Sequence, residues 1–443
     1  MRDLCALFFL YDIIALKTAN KLYFDSTTPR GGMMYHRLQN LTAMTSDQLV
    51  AAFTAIPAGV TLLHLGRGGL GSKTGAELAA AIRVIPASVT SLDLGANDLG
   101  AEFAVAFAAI PANVTSLNLS ANNFGNKTGA ALSDLFRAIP GSVTSLDLRC
   151  NVFHIKTGAE LAAAFAAIPA SVTSLNLGLN DFHHKTGAEL AAAFRAIPAS
   201  VTSLNLGGNG FHHKTGAELA AAFAAIPASV TSLNLCGNEF HHKTGAELAD
   251  AFAAIPASVT SLDLSGNGFH SKTGAELADV FKAIPASVTW LNLRRTGLKS
   301  KTGAELADMF RAIPASVKSL DLSGNDFHSK TVDELAVMVG SLSHITTVFL
   351  SLPEIEAMTV DQRRALKNIF PRVKTKDIIL LDLAGNHLPP ERKNLAVSLL
   401  GFGPQEVPSL KALSALSFIQ NFGLGALDTS PVPAEVSRYL RSF

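Results

Sequence analysis

The chain has 443 residues, of which 48% are hydrophobic and 16% are charged, and its formal net charge at pH 7 is +1. A charge this close to zero excludes the strong field that attracts nucleic acid or anionic membranes, so neither is expected as a partner. The three cysteines, Cys5, Cys150 and Cys236, lie far apart in the sequence. We therefore expect no disulfide framework, which is typical of a reducing compartment.

The first 44 residues carry no clear repeat. Their apolar stretch, residues 5–16, contains Asp12 and is too short to span a bilayer, so we predict no membrane span. The basic start and small-residue cleavage site of a signal peptide are missing, which disfavours the alternative of a targeting segment. We interpret residues 1–44 as an N-terminal cap over the open end of a repeat array.

From residue 45 onwards one phrase recurs along the chain. In residues 156–177 it reads KTGAELAAAFAAIPASVTSLNL, and close copies begin at Lys185, Lys214 and Lys243. Val172 and Val201 hold the same place in successive copies and lie 29 residues apart, a period typical of solenoid proteins. The pattern predicts about 12 units over residues 45–394.

The first half of each unit predicts a strand. Leu175 and Leu177 alternate with Ser174 and Asn176, which places the leucines on one side of an extended chain and the polar residues on the other. Asn180 follows at the turn, where an asparagine side chain can satisfy backbone groups. Stacked copies of this asparagine are expected to form a hydrogen-bonded ladder inside the protein.

The second half of each unit predicts a helix. Thr186 and Glu189 form a capping box at its start. Leu190 and Phe194 then fall on one helical face, and Pro198 ends the helix. Lys185 lies four residues before Glu189, and we predict that this pair and its copies form a solvated ladder of charges.

The spacing departs from 29 once, between Val89 and Val114, where it is 25 residues. The four missing residues fall between strand and helix, where a tighter junction is expected. The repeat pattern becomes irregular beyond Val317 and is clear again in residues 378–388. Residues 395–443 contain four prolines, and we interpret them as a C-terminal cap, a tail or both.

The phrase LxxLxLxxNxL, followed by a Gly-Ala-x-x-Leu-x-x-x-Phe helix, resembles the leucine-rich repeat in its long, helix-bearing subtype similar to ribonuclease inhibitor. The resemblance implies an α/β solenoid, a horseshoe with a parallel sheet on its concave side and helices on its convex side. The wording also resembles leucine-rich-repeat effectors of Legionella-type intracellular pathogens. That resemblance implies type IV secretion into the host cell cytoplasm, with an export signal in the C-terminal tail.

One unit departs from the common wording on the predicted concave face. Trp290, the only Trp of the chain, replaces a Ser, Arg294 and Arg295 replace small residues, and Thr296 replaces the ladder asparagine. Trp and Arg dominate interface energetics. The predicted partner-binding site comprises Trp290, Arg294, Arg295, Asn292, Asp263 and Asp321. The alternative is that Trp290 packs on the arginine stems as a local surface patch.

A second feature is a set of histidines just before the Lys-Thr pair of successive units: His154, His183, His184, His212, His213, His241, His242, His270 and His328. Stacking is expected to align them in columns along one edge. A metal site needs three or four converging ligands, which a linear ladder does not supply, so we predict neither a metal nor a cofactor. A metal- or pH-responsive module remains the alternative.

The motifs of catalysis do not stand out from the repeats. The sequence offers no Gly-rich phosphate loop and no distinct Cys–His or Ser–His–Asp set, so we predict that the protein is not an enzyme; a site in the terminal caps is the alternative. The expected function is a non-catalytic scaffold that binds a host protein through its concave face. The sequence names neither that partner nor the oligomeric state.

Overall fold

The structure is a computed structural model that describes residues 34–38, 40–382 and 384–388. The described chain divides into two compact units, one formed by the residues up to Glu239 together with 250–260, the other by residues 240–249 and those from Ser261 onwards. Most of the predicted N-terminal cap, and the whole of residues 395–443 with the predicted export signal, lie outside the described residues.

The first unit is built on a parallel sheet in which each strand pairs with the next along the chain. Its described strands are β1 (Tyr35–Arg37), β2 (Leu62–His64), β3 (Ser91–Asp93), β4 (Ser116–Asn118), β5 (Ser145–Asp147), β6 (Ser174–Asn176), β7 (Ser203–Asn205) and β8 (Ser232–Asn234). In β6 the central Leu175 is buried and its two neighbours are partly exposed, as the alternation predicts. Strand β1 precedes the first predicted repeat, inside residues 1–44.

The second unit is built in the same way, again with parallel neighbours in chain order. Its strands are β9 (Ser261–Asp263), β10 (Trp290–Asn292), β11 (Ser319–Asp321), β12 (Thr347–Ser351) and β13 (Ile378–Leu381). Leu291 pairs in register with Leu262 and Leu320, so equivalent residues of successive repeats stand side by side.

A helix returns the chain between most successive strands. The helices are α1 (Ser46–Thr54), α2 (Gly75–Ile82), α3 (Ala104–Phe107), α4 (Gly129–Arg137), α5 (Gly158–Ala166), α6 (Gly187–Arg195), α7 (Gly216–Ala224), α8 (Gly245–Ala253), α9 (Gly274–Lys282), α10 (Gly303–Ala312), α11 (Val332–Val337), α12 (Leu352–Ala357) and α13 (Val360–Ile369). The capping box predicted for α6 is present: Glu189 N donates to Thr186 Oγ1 (3.2 Å), and Thr186 N donates to Glu189 Oε2 (2.9 Å). Helix α3 is the shortest and lies in the 25-residue repeat, which lacks the Lys-Thr pair.

The interior of each repeat combines leucines, phenylalanines and the predicted asparagine ladder. Phe182 and Phe194 are fully buried and pack edge to face, with ring centroids 6.0 Å apart. Asn180 is also fully buried: its side-chain amide donates to Leu177 O (3.0 Å), and its Oδ1 accepts from Asn151 N (2.7 Å). The ladder therefore satisfies backbone groups that the turn would otherwise leave buried without partners.

The prediction that the repeated Lys–Glu pairs form a solvated ladder is wrong for the lysines. Lys185 is only 8% exposed, and its Nζ donates to the backbone carbonyl of Lys156, its counterpart one repeat earlier. The long apolar stem explains this burial, because it can lie inside while the ammonium group finds hydrogen-bond acceptors. We call the buried members the lysine ladder: Lys156, Lys185, Lys214, Lys243, Lys272, Lys301 and Lys330.

The glutamate of each capping box also joins neighbouring repeats. Glu189 Oε1 accepts from Gly158 N, the first residue of helix α5 in the preceding repeat, at 3.0 Å. The two backbones approach so closely there that a Cβ atom on Gly158 would lie 2.7 Å from Glu189 Cβ. The glycine of the Lys-Thr-Gly phrase is therefore required by packing between repeats.

Candidate functional site

Strand β10 carries the tryptophan of the predicted site. Leu291 is buried, whereas Trp290 is only partly covered and pairs in register with Ser261 and Ser319. Trp290 and Asn292 lie two residues apart and therefore point to the same side of the sheet. We call this side, which carries the first and third residue of each repeat strand, the polar strand face.

Arg294 follows where β10 ends. Its backbone N–H donates to Asn292 Oδ1 at 2.9 Å, which fixes the chain as it leaves the strand. The side chain is half-buried and reaches the turn after β13, where a Cβ atom on Gly385 would coincide with its guanidinium group. Burial and the neighbouring Arg295 lower the pKa of Arg294, while Asp321 and Asp382 oppose that shift.

Two aspartates of the predicted site flank Arg294 from the adjacent strands. Asp321 is 5% exposed, and its Oδ1 accepts from both the backbone N–H (2.8 Å) and the hydroxyl (2.6 Å) of Ser323. Asp263 is partly covered and accepts hydrogen bonds from Ser265 and Asn292. Burial raises the pKa of both carboxyl groups, and the charge of Arg294 lowers it again.

Arg295 is the exposed member of the group. Its backbone has φ of 52°, in the left-handed region that favours glycine, which several other repeats carry at this place. Its stem packs against Gly324, where a Cβ atom would lie 2.5 Å from Arg295 Cγ. The unusual backbone thus directs a charged side chain outward beside the half-buried Arg294.

A pocket of about 330 Å³ opens beside the two arginines. It is lined by Arg294, Arg295, Ser323, Gly324, Asp326, His328, Ser351, Pro353, Glu354, Ala357 and Asp382. Of the six predicted residues, Arg294 and Arg295 therefore line the pocket. Asn292, Asp263 and Asp321 interact with Arg294 from outside the lining, and Trp290 lies further back along β10.

Glu354, near the start of helix α12, is one of the pocket residues that were not predicted from the sequence. Its Oε1 accepts from Asp326 N at 3.0 Å. Burial, together with the negative charge of Asp326, raises its pKa to about 7 although two backbone hydrogen bonds and the charge of Arg294 act in the opposite direction. Glu354 lies beyond Val317, where the repeats have diverged. Their sequences can no longer be aligned closely enough to show that this position is unusual.

The pocket presents carboxylates and guanidinium groups side by side. Arg294 and Arg295 offer planar sets of N–H donors, and Asp326, Glu354 and Asp382 offer acceptors. Such groups form charge-assisted hydrogen bonds with polar or charged ligand groups, and these are stronger than bonds between neutral groups. The arrangement suits recognition of a protein surface that carries complementary charges.

The histidine edge of the first unit brings imidazole rings into contact. The ring centroids of His183 and His184 lie 4.0 Å apart, those of His183 and His213 4.9 Å, and those of His212 and His213 3.9 Å. Burial and the positive charges that neighbouring histidines would carry lower the pKa of His183 to about 4. This ring is therefore neutral at physiological pH.

No family model matches the sequence, and no curated protein is similar to it. Among solved structures, the leucine-rich repeat-containing protein LegL7 from Legionella pneumophila is similar over 85% of this chain and 100% of its own length. The two are 36% identical, with a TM-score of 0.62. The chain belongs to the leucine-rich repeat proteins.

Membership of this family confirms the predicted repeat solenoid, and the described strands and helices alternate as its repeat requires. The fold supports a protein-binding scaffold and points away from an enzyme. No helix in the described part of this leucine-rich repeat protein is long and apolar enough to cross a membrane.

Proposed function

We propose that this leucine-rich repeat protein is a bacterial effector that binds a host protein through the polar strand face of its second unit. The observation that carries the proposal is the gathering of charge around Arg294. Most repeats present Ser, Asn, Asp and Gly on this face, whereas here two arginines and several carboxylates meet at one pocket. We expect a specific contact with a partner at residues that differ from their counterparts in the other repeats.

Trp290 supplies the second contact. Its ring stands between Ser261 and Ser319, whose side chains are too small to cover it from the neighbouring strands. A partly exposed tryptophan flanked by small residues can bury a large apolar surface when a partner docks. Trp290 and the pocket then mark two points of one interface, and Asn292, Asp263 and Asp321 hold Arg294 in place at the pocket.

The effector part of the proposal has separate support. The repeat wording resembles that of leucine-rich-repeat effectors of Legionella-type pathogens, and the similar solved structure is a Legionella pneumophila protein. The proposed route is type IV secretion into the host cell cytoplasm, with residues 395–443 carrying the export signal. A fusion to a reporter that is active only in host cytosol tests this route, with and without residues 395–443. A signal that survives removal of the tail contradicts the placement of the export signal, and no signal from either fusion contradicts secretion.

Binding is tested by capturing partners from host-cell lysate and then measuring each captured protein, once purified, against variants. The double variant Trp290→Ser, Arg295→Gly restores the common wording and leaves the half-buried Arg294 in place. We expect it to weaken binding at least about tenfold, because truncation of hot-spot residues costs 2 kcal/mol or more. Arg67→Gly, which removes the exposed arginine at the place of Arg295 in the repeat of β2, is the matched control and should bind like wild type.

Two results contradict the proposed interface. Equal affinity of wild type and the double variant removes Trp290 and Arg295 from it. Equal losses in the double variant and in Arg67→Gly show that arginines at this place act through general charge and not through a defined site. Urea unfolding of each variant checks that the fold is retained.

A further inference from the structure

The turn before each helix sets a histidine of one repeat opposite a side chain of the next. In the first unit this arrangement brings His154 to Asp181, with His154 Nδ1 and Asp181 Oδ2 3.6 Å apart. A second pair repeats the geometry, since His212 Nδ1 lies 3.7 Å from Glu239 Oε2. The two pairs occupy equivalent places and show nearly the same separation.

A 3.6 Å separation is too long for a hydrogen bond. It is close to the distance between two ligands of one tetrahedral ion, which is about 3.3–3.5 Å when each ligand bond is 2.0–2.1 Å. His154 Nδ1 is also shielded from solvent and has no hydrogen-bond partner in the structure. A shielded ring nitrogen that faces a carboxylate oxygen across this gap is compatible with two ligands of one metal ion.

An ion pair between repeats looks different in the same chain. Lys299 holds the place of His154 in a later repeat, and Asp326 holds the place of Asp181. That pair closes to 3.0 Å between Lys299 Nζ and Asp326 Oδ2. Direct pairing is thus possible at this position, and the open spacing accompanies histidine.

His184 lies in the same turn as Asp181 and offers a third possible ligand. Its ring centroid lies 5.1 Å from that of His154, and its side chain is exposed, so rotation about its side-chain torsions can bring a ring nitrogen to an ion held by the other two.

We propose that His154, Asp181 and His184 form a binding site for a divalent transition-metal ion of the Zn²⁺ class. Two imidazoles and one carboxylate are a known ligand set for Zn²⁺ and leave a fourth position for water or for a group from a partner. The site bridges two repeats, so metal binding also fixes their turns against each other.

The next pair of repeats provides a control inside the molecule. His183 and His213 repeat the two histidines with ring centroids 4.9 Å apart, but Gly210 stands where Asp181 would be. This trio therefore lacks the carboxylate. If the carboxylate is required, metal binding must depend on Asp181 and must not depend on His213.

The test is calorimetric titration of the full chain with Zn²⁺ at pH 7.5, with bound metal counted after dialysis. Asp181→Asn is the main variant, and it is structurally mild because Asn123 occupies the same left-handed turn position in an earlier repeat, with φ of 57°. We expect Asp181→Asn and His154→Ala each to lose one bound equivalent relative to wild type. His213→Ala should keep the wild-type stoichiometry.

A gain-of-function variant completes the test. Gly210→Asp places a carboxylate between His183 and His213, in the same left-handed conformation that Asp181 adopts. We expect one additional equivalent of Zn²⁺. The proposal is overturned if wild type takes up no Zn²⁺, if Asp181→Asn keeps every equivalent, or if His213→Ala loses as much as Asp181→Asn. Those outcomes leave an ordinary metal-free contact between His154 and Asp181.

Discussion

At the scale of single residues, the guanidinium group of Arg294 lies near carboxyl groups whose acidity is reduced by burial. Asp263, Asp321 and Glu354 all have raised pKa values, with desolvation as the largest cause. Arg294 lowers each of these pKa values by its positive charge. The charge of this cluster is therefore sensitive to pH near neutrality, with Glu354 as the group that titrates there.

The stability of the protein should reflect this titration. The unfolded chain releases the proton of Glu354 near pH 4.3, whereas the folded chain holds it until about pH 7. The folded state binds more protons in between, so Glu354 costs stability progressively as pH rises through that window. Glu354→Gln should therefore stabilise the protein more at pH 8 than at pH 5. After allowance for solvent screening, we expect the change in the free energy of unfolding at pH 8 to exceed that at pH 5 by about 1–2 kcal/mol.

Urea unfolding at the two pH values measures this difference. Glutamine keeps an oxygen that can accept from Asp326 N, so the variant removes the charge and retains the hydrogen bond. Glu356→Gln removes a carboxylate from an exposed position of the same helix and is the control for a general effect of charge. A gain of the same size at pH 5 and pH 8 would show that Glu354 does not titrate in this range.

At the scale of elements, the start of each helix links two repeats. Thr186 and Glu189 cap helix α6, and the same glutamate binds Gly158 at the start of helix α5. A single carboxylate thus satisfies N–H groups of two helices, which is favourable because helix starts leave such groups unpaired and carry partial positive charge. The repeated Lys-Thr-Gly phrase is explained by these contacts.

Gly158→Ala tests the closeness of that junction. The added methyl group would meet Glu189 Cβ at 2.7 Å and Glu189 Cα at 2.8 Å, so the two repeats must move apart. We expect a loss of about 1–3 kcal/mol in the free energy of unfolding. Gly141→Ala is the matched control: its new Cβ meets nothing within 4 Å, and alanine occupies the equivalent place in other repeats. Equal effects of the two substitutions would refute the packing argument.

These elements could be predicted from the sequence because the same local pattern recurs in successive repeats. The alternation around Leu175 and the Thr186–Glu189 capping box are local patterns, and both are present in the structure. The burial of Lys185 was missed because it depends on the carbonyl of Lys156, a neighbour that only stacking provides. Glu354 was missed for a related reason, since its pocket combines several repeats whose wording has diverged.

At the scale of the whole molecule, the central repeats of the first unit are interchangeable. Strands β6, β7 and β8 have the same sequence, Ser-Leu-Asn, and pair in the same register. Glu189 and Glu218 each bind the glycine one repeat before them at 3.0 Å. In a protein whose units contact only their neighbours, removal of one such unit restores an equivalent interface.

Deletion of residues 185–213, one full period, should therefore leave a folded protein. The new junction joins His184 to Lys214 and brings Glu218 to Gly158, in place of Glu189. We expect unchanged far-ultraviolet circular dichroism per residue and a cooperative urea transition, with partner binding retained because Trp290 and Arg294 lie in the second unit. Deletion of residues 186–199, about half a period, breaks the register and should prevent folding. Comparable loss of structure in both deletions would show that the repeats are not equivalent.

The lysine ladder has a consequence for chemistry carried out on the protein by other enzymes. Acetyltransferases and ubiquitin ligases act on a lysine nitrogen that extends into solvent. In the ladder the residues are only 6–9% exposed, and the Nζ atoms of Lys185, Lys301 and Lys330 donate to backbone carbonyls. Exposed lysines such as Lys282, Lys299 and Lys318 remain within reach. The lysine ladder thus places a lysine in successive repeats, but its amino groups are poorly accessible to modifying enzymes as long as the chain is folded.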